Sequence, residues 1–181
     1  MPSNFKLDTS INALLYILQQ LNGICDEHKI CKIFYYADQM HWSQYGRSIT
    51  NDSYIAMKYG PVPSSILDII NDIRVAGRFP EDTENQQYLS DLSAKFKFEG
   101  SYDIKALKQP DMDTLSESDV ECLNNAIDFC KDKTFKQLTN ISHGLAWNNT
   151  QLNKKMSLED ILKEAGNEPE YISYLLESIH K

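Results

Sequence analysis

No apolar run in the 181-residue chain approaches the roughly 18 residues that a membrane-crossing helix needs, and glycine and proline are sparse, at seven and six residues. Low-complexity stretches and tandem repeats are absent as well. These absences exclude a membrane-spanning, a collagen-like and a wholly disordered chain. Reaction signatures are also missing: there is no G-x-S-x-G, H-E-x-x-H, G-x-x-x-x-G-K-[ST], C-x-x-C or G-x-G-x-x-G, which weakens an enzymatic reading. Basic residues fall short in the second half, where residues 81–181 carry 11 Lys+Arg against 19 Asp+Glu, while residues 1–80 balance at 7 and 7. That half repels phosphate backbones and favours basic protein partners, so nucleic acid is a poor candidate.

The opening MPSNFKLDTS lacks the charged-then-apolar stretch of a secretory leader. The expectation is a cytoplasmic protein in which Cys25, Cys31, Cys122 and Cys130 stay free and buried. Three Asn-x-Ser/Thr tripeptides, at Asn51, Asn140 and Asn148, then carry no meaning. At 41% hydrophobic and 24% charged residues, the chain can close one core without disulfides or metal.

What is present is helical periodicity. Ile11, Leu14, Leu15, Leu18 and Leu21 form one stripe after Asp8-Thr9-Ser10 and before Asn22-Gly23. A second helix carries Ile30, Ile33, Phe34, Ala37, His41 and Tyr45, ends at Gly46, and bears aromatics on other faces, which predicts burial on more than one side. Tyr54 to Tyr59 reads as extended, with Pro61 in the first turn of a third helix that runs through Ile66, Ile69, Ile70 and Ile73 to Gly77, with Arg74 and Arg78 at its negative end. Period-two alternation at Phe96 and Phe98, a turn at Glu99-Gly100-Ser101, and Tyr102 and Ile104 predict a β-hairpin, which the stretch around Tyr88 and Leu89 would extend. Helix starts follow at Ser116 with Asp119, Thr134 with Gln137 and Ser157 with Asp160, and a last helix follows Pro169. The predicted class is mainly α with a small antiparallel β-hairpin or sheet (α+β), a compact multi-helix domain over 1–150 with a helical extension over 151–181 packed on it.

Asp38 and His41 lie three apart on the second helix and admit two readings: a carboxylate-oriented general base, or a core histidine satisfied by Asp38. Cys25, His28 and Cys31 share a helical spacing of three, which suits metal ligands, but match no finger or ribbon pattern; buried thiols are favoured. The turn at Asn22 to Asp26 imitates a helix-turn-helix, yet its second helix offers Lys29 and Lys32 against Asp26, Glu27 and Asp38, poor for a major groove. Between residues 34 and 59 stand Phe34, Tyr35, Tyr36, Trp42, Tyr45, Tyr54 and Tyr59, with Arg47. Tyr, Trp and Arg dominate binding hot spots, so this segment is either aromatic core or, where exposed, a protein-binding surface.

In order and spacing, Ile33-Phe34-Tyr35-Tyr36-Ala37-Asp38, His41, Tyr45-Gly46-Arg47-Ser48-Ile49-Thr50 and Tyr54-Ile55-Ala56-Met57-Lys58-Tyr59-Gly60-Pro61-Val62 resemble the SocA-like antitoxin domain, also called Panacea. Ser142-His143-Gly144-Leu145-Ala146-Trp147 resembles the family's later block, and the likeness spans about residues 8 to 150. The resemblance implies a mostly α-helical domain with a small β-hairpin, the antitoxin half of a bacterial or phage toxin–antitoxin pair, acting by direct contact with a protein toxin encoded nearby. No cofactor and no metal are expected. It assigns Gly60-Pro61 to the opening of helix three, Gly46 and Arg47 to the end of helix two with Arg47 pairing Asp38 or Asp52, and His143 and Trp147 to one helix face near the aromatics. Partner-binding or motif residues are thus Tyr35, Tyr36, Asp38, His41, Trp42, Tyr45, Arg47, Lys58, Tyr59, Gly60, Pro61, His143 and Trp147. A hydrolase built on Asp38 and His41, and an adaptor presenting a bound protein to a protease, are the alternatives.

Overall fold

The computed structural model describes residues 4–76 and 86–179. Its axis is α2 (Glu27–Tyr45), where Ile30, Ile33, Phe34, Tyr35 and Ala37 are all fully buried. Helix α1 (Leu7–Gln20) and α5 (Glu117–Cys130) pack beside it, with α6 (Phe135–Ser142), α7 (Leu145–Asn148), α8 (Leu158–Glu164) and α9 (Pro169–Ile179) closing the remaining sides. The all-round apolar character of α2 is therefore that of a helix covered on several faces. The four cysteines are free and buried. No helix among the described residues is long and apolar enough to cross a membrane.

Two antiparallel sheets complete the body. Strands β4 (Phe96–Glu99) and β5 (Asp103–Ala106) form the expected hairpin, and β1 (Ile24–Asp26) adds to β5 with Cys25 opposite Ile104. Tyr88 and Leu89 do not extend this sheet: they lie in α4 (Gln86–Lys95), which buries Leu92 and lets the Tyr88 hydroxyl reach Asp72 of α3 (Ser64–Val75).

Strands β2 (Tyr54–Met57) and β3 (Gly60–Pro63) form the second sheet, with Met57 opposite Gly60 across the two-residue loop Lys58-Tyr59. Pro61 therefore sits in a strand rather than in the first turn of helix three. The left-handed Gly60 (φ +101°) turns the chain back at this point, and Pro61 needs no ladder donor on its N side. Helix α3 begins three residues later, capped from a distance: Asp52 accepts from the backbone N–H groups of Ser65 and Ile66 at 2.9 Å each. Gly77 and Arg78, expected at its end, lie outside the described residues, while Arg74 pairs with Glu27 and covers the Phe98 ring.

Other starts also differ in detail. Helix α1 begins at Leu7 without a side-chain cap, because its N-cap residue Lys6 offers no acceptor; the Lys6 N–H is held by the Thr50 carbonyl, and Ser10 is buried inside the helix. Ser116 with Asp119 and Thr134 with Gln137 are reciprocal capping boxes, whereas Ser157 caps α8 by its hydroxyl alone. After α7 the chain runs along β2: the Ala56 N–H donates to the Lys154 carbonyl, and the Asn153 and Met156 N–H groups donate to Ala56 and Tyr54.

One buried carboxylate ties these pieces together. Asp38 is 1% exposed and accepts from the Ile49 N–H (2.7 Å), the Thr50 N–H (3.3 Å), the Thr50 hydroxyl (2.6 Å) and the Tyr54 hydroxyl (2.8 Å). It thereby fixes the loop after α2 and the first residue of β2. Burial pushes its carboxyl above the usual range, and these donors oppose that shift. Asp38→Ala leaves those donors unmatched inside the core, and is expected to lower stability by about 3 kcal/mol or more in urea denaturation.

Candidate protein-interaction face

Three side chains grip the β2–β3 hairpin by alternate carbonyls. Trp147 Nε1 donates to the Met57 carbonyl at 2.9 Å, His28 Nε2 lies 3.2 Å from the Tyr59 carbonyl, and Lys32 Nζ donates to the Pro61 carbonyl at 2.7 Å. The His143 ring stacks on Trp147 at 3.7 Å between centroids and 10° between planes. His143 and Trp147 thus meet, though not on one helix: His143 terminates α6 and Trp147 lies in α7. Gly144, between them, starts α7 where the Glu164 carboxylate fills the space a side chain would need. Glu164 accepts from Tyr35, Gln39 and the Ala146 N–H, so α2, α7 and α8 share one partly buried acid.

This grip presents the hairpin tip. Tyr59 is 47% exposed and meets Phe135 of α6, 50% exposed, at 5.2 Å edge to face. Phe135 in turn covers His28 at 4.0 Å. Phe129, at the end of α5, is partly exposed and packs edge-on against Tyr36. Lysines frame the aromatics: Lys58 lies over Tyr59, Lys133 over Phe129, and Lys29 donates to the Lys131 carbonyl. Apolar surface framed by cationic stems is the composition of a protein-binding patch.

The remaining sequence-derived residues lie outside this patch. Tyr35 and Tyr36 are buried. His41 is fully buried and does not pair with Asp38: its Nδ1 donates to the Arg47 carbonyl at 2.9 Å, and Nε2 lies 3.0 Å from Asp119 and 3.1 Å from Ser118. Arg47 pairs with Asp119 at 3.1 Å, not with Asp38 or Asp52, because the loop after Gly46 turns it toward the start of α5. Burial alone would raise the Asp119 carboxyl; hydrogen bonds from His41 and Ser116, with the Arg47 charge, outweigh it and hold the group well below the carboxylate range. Trp42 is half-buried against the cluster of Leu162, Ile172 and Leu175, and Tyr45 is exposed with its hydroxyl on Glu121. Cys25, His28 and Cys31 gather no metal set: among the described residues no trio of ligating side chains converges. Burial pushes the Cys25 and Cys31 thiols up to about 12.

The pattern of the family described as "Antitoxin SocA-like, Panacea domain" matches residues 30–148. The chain belongs to this family. The matched span holds the Asp38 hub, the hairpin, Lys32, Phe135 and the His143–Trp147 stack. No curated protein and no solved structure matches the chain.

Phe135, Phe129 and Lys32 carry the face yet escape sequence reading. Phe135 directly follows a capping threonine, where periodicity says nothing about which side it shows. Lys32 had one signal: it lies between Cys31 and Ile33 in the apolar stretch of α2, whereas Lys29, nearer the start of the helix, is only partly buried. Two outcomes follow. Gly60→Ala requires a side chain at φ +101° with its Cβ 2.9 Å from Lys32 Nζ and closer still to the Ser142 hydroxyl, so it should destabilise by about 2 kcal/mol or more in thermal or urea unfolding. Burial lowers the Lys32 ammonium to about 8 from an ordinary 10.5. The unfolded chain therefore binds the extra proton between those values, and this residue's contribution to stability rises with pH across that window. The stability of Lys32→Met relative to the unmodified protein should fall steadily from pH 8 to pH 10 in urea titrations.

Proposed function

We propose that this protein is a cytoplasmic antitoxin that neutralises a protein toxin, encoded beside it in a bacterial or phage genome, by direct contact through the Tyr59–Phe135 face. The observation that carries this reading is an exposed aromatic pair held by a rigid grip of family-matched residues. Rigid aromatic anchors lose little entropy on binding and contribute most of an interface's energy. The acidic remainder of the surface adds long-range attraction toward a basic partner. Against a hydrolase, Asp38 and His41 are both buried, and each is bonded to different partners.

Co-expression with the adjacent reading frame tests this directly: growth arrest by the neighbour should be relieved by this chain, and the two should co-purify. Tyr59→Ala and Phe135→Ala should each weaken binding by roughly ten- to a hundred-fold and abolish relief, with the melting temperature nearly unchanged. Tyr174→Ala, a 67% exposed control on α9, should do neither. Full neutralisation by both face variants would refute the assignment.

A further inference from the structure

Beside the aromatic pair lies a crevice of about 290 Å³ between α2, the hairpin tip and α3, with walls that include Met57, Val62 and Leu67. Lys32 and His28 also line it. Lys32 has no exposed surface, yet none of the ion pairs among the described residues includes it. Its ammonium has three N–H groups, and its hydrogen bond is to the Pro61 carbonyl. An ammonium removed from water without a counter-charge is expensive to keep.

A second cavity, of about 330 Å³, is lined by Asp38, Asp52 and Trp42, but its carboxylates are already in use. Asp38 accepts from Ile49, Thr50 and Tyr54, and Asp52 from Ser53, Ser65 and Ile66. Unspent charge lies at the α2 crevice. Lys58, which also lines the crevice, likewise forms no ion pair among the described residues, whereas Glu27, the acidic residue of the lining, is already paired with Arg74, in a chain whose net charge is −8.

From this we infer that the crevice receives an acidic side chain, Asp or Glu, flanked by apolar residues on the protein partner, with the Lys32 ammonium as its counter-charge. The inference rests on the binding face proposed above and specifies what that face reads. The flanking apolar residues lie on Tyr59 and Phe135, and the carboxylate enters between Met57 and Leu67 to accept from the Lys32 N–H groups that the Pro61 carbonyl does not use. Elsewhere the acidic surface repels such a segment, so the lysine-framed crevice fixes its register.

The probe is the peptide acetyl-Leu-Glu-Leu-amide, with acetyl-Leu-Gln-Leu-amide as its neutral twin, titrated into the full chain and followed by NMR of labelled lysine side chains. The glutamate peptide should saturate, bind about ten-fold or more tightly than the glutamine peptide, and shift the Lys32 resonance. In Lys32→Met the preference should vanish. Equal affinity of the two peptides, absence of saturation, or a glutamate preference that survives in Lys32→Met overturns the inference. Should Lys32→Met not fold, the Lys32 signal of the unmodified protein decides: a shift with glutamate and none with glutamine supports the assignment, and any other pattern refutes it. No toxin enters this titration. Failed neutralisation beside an intact peptide preference therefore sinks the antitoxin reading alone, and the converse sinks the crevice alone.

Discussion

The Asp38 carboxylate is the constraint on which the rest of the architecture depends. A buried charge is tolerated only when its lone pairs are filled, and here they are filled by groups eleven to sixteen residues further along the chain. That requirement forces the chain after α2 to fold back on its own helix. Thr50, held by Asp38, in turn accepts the Lys6 N–H and so positions α1. Tyr54, held by the same acid, sets where β2 begins. A single side chain thereby coordinates the first helix, the central helix and the hairpin.

A second layer of polar contacts converts that frame into a presentation device. Met57, Tyr59 and Pro61 point successive carbonyls toward Trp147, His28 and Lys32, which come from two helices far apart in sequence. A two-residue loop held in this way has little freedom, so the tyrosine at its tip is oriented before any encounter. Pre-organisation of this kind lets a modest surface bind tightly, because less ordering remains to be done.

Much of this architecture is legible in the residues alone, and the failures have physical causes. The stripes of α1 and α2, the left-handed stop at Gly46 and the β4–β5 hairpin follow from periodicity and turn chemistry that act locally. The same logic misplaced Pro61, because proline at a helix start and proline on a strand edge satisfy the same rule about a missing donor, and only the pairing of Met57 with Gly60 decides between them. Asp38 and His41 are neighbours on one helix by spacing, yet each turns to a partner brought by tertiary contact, Thr50 for one and Asp119 for the other. Arg47 illustrates the same point, since its acid lies 72 positions downstream, beyond the reach of any local pattern. The proposed face is the least legible part, because Phe135 meets the hairpin tip only once α6 lies against it.

The segment from Asn153 to Met156 runs beside β2 and satisfies the outward-facing backbone of Tyr54 and Ala56. The family pattern stops at residue 148, so the homologous unit and the folding unit do not share a border. A chain trimmed to the homologous unit would carry a bare strand edge, the template on which unrelated chains stack into aggregates. The tail after Asn148 is therefore a built-in guard.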